Sequence, residues 1–265
     1  SPLPDGCDPP HDRGASRIKE SGTEKTMHFE IRQNIPAYLA DLNHWLAETR
    51  DDPLEEMSNF FTERVSTYEE HMARWNGAYR SMAERIPDNC GSLLDLGCGT
   101  GLELNAILKR FPGLHVTGID LCEPMLAVLR QKHPSALLTL RCEDYFEAEL
   151  GMEAFDTAIS FESLHHFQPA KKEGLFRKLY QALKPGGLYL ECDYIACCAQ
   201  EERLLMDVCA QKRAREGIPE GLFVHFDTPL TLEHETELLE RAGFQAVEAL
   251  ACFDGATLIQ ARKAE

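Results

Sequence analysis

The sequence predicts an α/β protein built on a mostly parallel sheet with helices on both faces. Three observations carry that reading. From Ser92 onward, short apolar runs alternate with stretches of helical period, and such alternation places parallel strands side by side with helices as crossovers. The run Leu93-Leu94-Asp95-Leu96 enters the turn Gly97-Cys98-Gly99-Thr100-Gly101, and helix formers follow directly from Leu102 to Leu108, the pattern of a βα turn. About twenty residues beyond that turn a second apolar run closes on Gly118-Ile119-Asp120.

The elements are expected in the following order. Residues 1–26 are rich in Pro, Gly and charge and read as a disordered leader, native or added ahead of Met27. Residues 27–90 read as a helical unit. Ile35, Tyr38, Leu39, Leu42, Trp45 and Leu46 have helical spacing, a second helical segment follows Pro53, and Ser66-Thr67-Tyr68-Glu69 opens a longer helix with capping-box character that Pro87 stops. Residues 91–265 form the core. Its strands are expected near 92–96, 114–119, 137–141, 155–160 and 187–195, and its helices near 101–111, 123–133, 168–183 and 199–216. Thr231 caps a last helix through Ala242, Gly243 ends it, and two strands near 244–252 and 256–262 turn at Asp254-Gly255. Residues 197–227 are expected to be an insertion forming a substrate wall.

Composition narrows the function classes. With 44 acidic against 27 basic residues, the net charge is −17. That balance disfavours unassisted docking on nucleic acid or on an anionic membrane and favours a small-molecule partner. Ten cysteines without framework spacing suit free thiols in a reducing cytosol, so a cytoplasmic protein is expected. No run approaches the length of a transmembrane helix.

Spaced glycines let a backbone turn tightly and approach a ligand, and the following helix aims its free N–H groups at whatever lies on the turn. A dinucleotide fingerprint needs G-x-G-x-x-G, yet counting from Gly97 or Gly99 the third glycine position is Leu102 or Leu104. What stands here is D-x-G-x-G-x-G. This stretch resembles motif I of the class I S-adenosylmethionine (SAM)-dependent methyltransferases, with sharp motifs over roughly residues 90–195. The resemblance implies a Rossmann-like, seven-stranded, mostly parallel sheet with an antiparallel last strand and an N-terminal helical lid. It also implies SAM as cofactor and S-adenosylhomocysteine as product.

Carried residue by residue, the resemblance assigns Asp95 to the methionine end of SAM and Gly97, Gly99 and Gly101 to the turn along it. Asp120 takes the ribose hydroxyls, Leu121 flanks the adenine, Asp144 accepts from its amine and Tyr145 covers the ring or the amide beside it. Phe161 touches the amino group through its backbone, and Tyr68 closes over the cofactor from the N-terminal helices. Independently of the family, Asp120 is also readable as a helix cap before Glu123-Pro124, and Cys142-Glu143-Asp144 as a solvated acidic loop.

In open α/β sheets ligands sit beyond the carboxyl ends of the strands, which brings Phe161-Glu162-Ser163-Leu164-His165-His166 and the strand end Asp193-Tyr194 to the reacting methyl group. His165, Asp193 and His225 are the expected catalytic residues, with Glu162, Tyr68 and His71 as further candidate bases. The expectation for His166 is a structural role. No metal is assigned, although Glu162-x-x-His165-His166 is similar to the Glu-x-x-Glu-His metal motif of ubiquinone-biosynthesis O-methyltransferases and small-RNA 2′-O-methyltransferases, with His165 replacing the second Glu. Methyl transfer to a small-molecule acceptor is thus expected by in-line displacement. The alternatives are a metal-assisted O-methyltransferase, a nucleic-acid or protein methyltransferase, and a SAM-binding scaffold without turnover.

Overall fold

The computed structural model describes residues 31–253 and 255–265. The expected leader, the first residues of the helical unit and Asp254 of the expected turn lie outside them.

The described chain forms a seven-stranded sheet in the order β3-β2-β1-β4-β5-β7-β6. Its strands are β1 (Ser92–Leu96), β2 (His115–Asp120), β3 (Leu137–Cys142), β4 (Phe155–Phe161), β5 (Leu183–Tyr194), β6 (Gln245–Phe253) and β7 (Ala256–Arg262). β1 to β5 pair in parallel, while β7 runs antiparallel to both β5 and β6. The α/β expectation and the reversed last strand are met. Strand order reverses between β1 and β4, so their carboxyl ends open a crevice at the switch point.

Side-chain alternation explains why both faces are covered. Leu93, Ile159 and Leu190 pack on one face with Leu104 and Ile107 of α4 (Leu102–Arg110) and Leu126 and Leu129 of α5 (Glu123–Lys132). Their strand neighbours Leu94, Ala158 and Tyr189 face the other way, onto Leu175, Phe176 and Leu179 of α6 (Pro169–Ala182) and Leu238 and Leu239 of α8 (Leu232–Arg241). With a side-chain period of two, one register serves two cores.

Asp156 ties the strand starts together. Its carboxylate accepts from the backbone N–H of Gly91 and Ser92, from Ser92 Oγ and from Lys184 Nζ, all at 2.7–3.0 Å. Those donors outweigh partial burial and hold the carboxyl down at about 2.

The N-terminal part differs from expectation in one respect. α1 (Ile35–Glu48) is capped by the Asn34 side chain, which accepts from Ala37 N, as the Asn-Ile-Pro start suits. Ser66, however, opens nothing: it lies inside α2 (Met57–Met72), which passes through a single 3₁₀ turn at Ala73–Trp75 into α3 (Asn76–Arg85). Met57 and Phe60 are buried in the first turn of α2, so packing starts the helix there and the Ser66 pattern never meets a free helix end. Thr231 does cap α8, accepting from His234 N. The expected insertion is mostly α7 (Ala199–Glu216), and Leu205 on it packs with Tyr38, Leu39, Leu42 and Leu46 of α1. Beyond α7, Val224 bridges to Glu56 at the start of α2.

One charge cluster sits inside the α6 face of the sheet. Lys172 on α6 bonds Glu235 on α8 and lies 3.8 Å from Glu191 on β5, all three fully or almost fully buried. Burial disfavours its charge, but the two carboxylates outweigh that and keep the ammonium protonated. Replacing Lys172 with Met would leave the carboxylates uncompensated, so Lys172→Met is expected to lower stability by roughly 3 kcal/mol. Urea unfolding followed by circular dichroism checks this, and an unchanged midpoint would refute it.

Candidate functional site

The crevice is built by the turn after β1. Gly97, Gly99 and Gly101 have φ of 70°, 46° and 69°, a region that L side chains rarely adopt. At Gly97 the need is also spatial, because a Cβ there would stand 2.1 Å from Ser163 Oγ. Ser163 is held in that space by Tyr145, whose hydroxyl is 3.1 Å from its Oγ. Asp120 links the turn to α5: one carboxylate oxygen accepts from Gly99 N at 2.9 Å and the other from Cys122 N at 2.8 Å. Burial raises its carboxyl, and these two donors oppose the rise. Asp120 lines the cleft, whereas the cap reading fails: the N-cap of α5 is Cys122, with no side-chain cap bond.

Eight of the ten expected cofactor residues line one cavity: Tyr68, Gly97, Gly99, Asp120, Leu121, Asp144, Tyr145 and Phe161. The space it bounds, including open solvent at its mouth, is about 620 Å³. The Tyr68 hydroxyl comes within 3.6 Å of where a Gly99 Cβ would be, so α2 covers the turn from above. Burial and nearby carboxylates push the Tyr68 hydroxyl well up, which suits it to covering and not to accepting a proton. Asp144 turns one oxygen back onto Phe146 N at 2.8 Å. Phe161 ends β4 against the ring of Tyr79, 4.4 Å away.

Asp95 and Gly101 stand apart from this wall. Asp95 is buried beneath the turn beside Glu103 of α4, and burial first, then Glu103, holds its carboxyl well above the usual range. That environment disfavours a charge on Asp95 beneath the turn. Gly101 is the left-handed cap of α4, where a Cβ would strike Leu129.

The expected catalytic residues are arranged differently from expectation. His165 does not reach the cavity with a free nitrogen: Nδ1 bonds Asp193, and Nε2 lies 3.4 Å from Asp227. Burial works against its charge, yet the two carboxylates raise it well above the usual histidine range, so the ring is a held cation and not a base. Asp193 is buried behind it and also accepts from Leu164 N and Tyr194 N. Asp193 therefore positions the histidine. The residue on the cavity wall is His166, which burial, then the neighbouring His165 cation, holds neutral. The two rings lie 4.0 Å apart, and nothing in His165-His166 says which of them lines the cavity.

His225 borders a neighbouring cavity, stacked on Phe60 at 3.6 Å and 4.8 Å from the His166 ring. Sequence reasoning missed Met57, Phe61 and Phe223 on the cavity wall, and it missed Asp227. These come from α2 and from the segment after α7, which carry no local pattern tied to the glycine turn. Glu162, expected as a candidate base, does line the cavity, with φ of 45°, and strained backbone collects at functional sites.

The chain is similar to known proteins over this part of the fold. Residues 93–187 match the family model described as a methyltransferase domain. Over those residues the chain carries a methyltransferase domain, with the support of relatives and structural neighbours for the class I SAM-dependent type. SAM is the cofactor of this family. A carboxy-S-adenosyl-L-methionine synthase from Nitratiruptor is 25% identical over 217 residues, covering 75% of this methyltransferase and 90% of the relative. A malonyl-[acyl-carrier protein] O-methyltransferase from Bacillus cereus is 34% identical over 101 residues, but that spans only 37% of this chain and 35% of the relative. The fold is also similar to human N-acetylserotonin methyltransferase crystallised with SAM, with a TM-score of 0.57 and 19% identity over 89% of this chain and 64% of that one.

Removing the His165 ring would leave Asp193 and Asp227 buried without their shared cation. His165→Ala is expected to cost about 3–5 kcal/mol, read as a lower thermal or urea midpoint. A variant as stable as the parent, with activity alone lost, would instead make His165 a group that acts on substrate.

Proposed function

We propose that this methyltransferase transfers the SAM methyl group to a small-molecule acceptor that enters between α2 and the segment after α7. The observation that carries the reading is the composition of the cavity wall. Asp120, Asp144 and Glu162 line it, and among the described residues that line it none is Lys or Arg. Such a wall complements a sulfonium donor with an ammonium group. It gives an acceptor carboxylate no cationic partner.

In this reading SAM lies on the glycine turn, Asp120 meets the ribose, and Leu121 and Tyr145 border the adenine. Displacement at a sulfonium needs no covalent enzyme intermediate. The protein's part is to align the acceptor behind the methyl group and keep water out, which Tyr68, Phe61 and Phe223 do by closing the cavity from α2 and the late segment. The N-terminal helices thus act as a lid, and the segment after α7 as the substrate wall. The net charge of −17 supports a small acceptor over nucleic acid. Nine described cysteines are free, which supports a reducing, cytoplasmic setting, and no described helix is long and apolar enough to cross a membrane.

Incubation with SAM and a panel of thiols, phenols, amines and carboxylates is expected to yield S-adenosylhomocysteine with at least one acceptor class. None above background would favour a scaffold that binds SAM without turnover. A heavier SAM derivative would favour the chemistry named for the Nitratiruptor relative. Asp120→Ala is expected to weaken SAM binding by about 1.5–3 kcal/mol, and an unchanged affinity by calorimetry would overturn its assignment.

A further inference from the structure

We propose that His165, His166 and Asp227 form a zinc site in the wall between the two cavities. One ligand atom from each of these residues lies within 4.8 Å of the others. His165 Nε2 is 3.4 Å from Asp227 Oδ1, and His166 Nδ1 is 3.3 Å from the same oxygen. Both separations are long for hydrogen bonds, whose usual length is about 2.9 Å. They fit a shared metal, which on binding would displace the proton from His165 Nε2: ligand atoms about 2.0–2.1 Å from zinc, at tetrahedral angles, stand roughly 3.4 Å apart. Two imidazoles and one carboxylate suit zinc better than magnesium or calcium, which prefer all-oxygen sets.

The surroundings support the same assignment. Asp193 bonds His165 Nδ1, which directs Nε2 toward Asp227, the arrangement by which a carboxylate orients a metal-binding histidine. Thr228 donates to the His165 carbonyl through its backbone N at 2.7 Å and through Oγ1 at 3.1 Å. Those bonds join the Asp227 segment to the His165-His166 turn before any ion arrives. Glu162, which the sequence pattern offered as a ligand, belongs to a different cluster, with His165 and Asp193. His225 stays stacked on Phe60, outside the triad. His166 Nδ1 is also 3.3 Å from the Phe226 carbonyl, a contact that a metal-bound ring would give up.

His166 lines the SAM cavity, whereas Asp227 lines the neighbouring one with His225, Trp45 and Lys212. Three protein ligands leave a fourth position open. On the methyl-transfer reading above, that position would take the acceptor's oxygen or sulfur from the second cavity; zinc binding itself does not depend on that reading.

The test is calorimetric titration of chelator-treated full-length protein with zinc chloride, with S-adenosylhomocysteine binding measured on the same samples. One tight zinc per chain is expected. His166→Gln and Asp227→Asn should each weaken it at least tenfold, and Asp193→Asn by roughly 10–100-fold. Retained S-adenosylhomocysteine binding in Asp227→Asn would show that the variant is folded; if it is lost, His166→Gln and Asp193→Asn decide. Cobalt(II) in place of zinc should give the intense visible bands of a tetrahedral site. No stoichiometric uptake by the parent, or uptake that the variants keep and the free thiols therefore hold, would overturn the proposal. Zinc binding without S-adenosylhomocysteine binding would leave the site standing and refute the methyl-transfer reading.

Discussion

The missing Cβ of Gly97 is the constraint on which the site depends. Ser163, at the end of the β4 segment, occupies that space, so the turns after β1 and β4 close on each other at the point where strand order reverses. Tyr145 fixes Ser163 from the β3 side, and Asp120 fixes the turn from β2. Four strand ends thus meet at one residue without a side chain. The dihedral demand and the packing demand coincide there, and any L side chain would violate both.

A second constraint is electrostatic. β5 carries Glu191 and Asp193 on the same face as Tyr189, facing α6 and not the solvent. Each buried carboxylate has a cation near it: Lys172 for Glu191, His165 for Asp193. Such groups are expensive to bury and costly to unpair. Their effect is positional. Lys172 joins α6, α8 and β5, while His165 joins the β4 turn to β5 and, through Asp227, to the segment after α7. The substrate-side wall is therefore tied to the cofactor-side scaffold by charge.

Together these constraints divide the molecule by function. The cofactor side is rigid backbone turned by glycine and held by Asp120. The facing wall of the cavity is aromatic and assembled from α2 and the late segment, which meet at the Glu56–Val224 bridge.

Local pattern determined the strands, most helices and the cofactor turn, because period-two and helical spacing, glycine spacing and an acidic residue at the next strand end are properties of contiguous residues. It misplaced the start of the helix around Ser66, since a capping box marks a helix end only where the preceding residues leave one free. It also did not determine which of His165 and His166 faces the cavity, nor that Asp227 stands beside both. That outcome depends on Asp193, 28 positions from His165, and on a segment more than 60 positions away in the chain. The glycine turn was legible because its residues are contiguous; the histidine cluster was not, because only folding brings β4, β5 and the late segment to the same point.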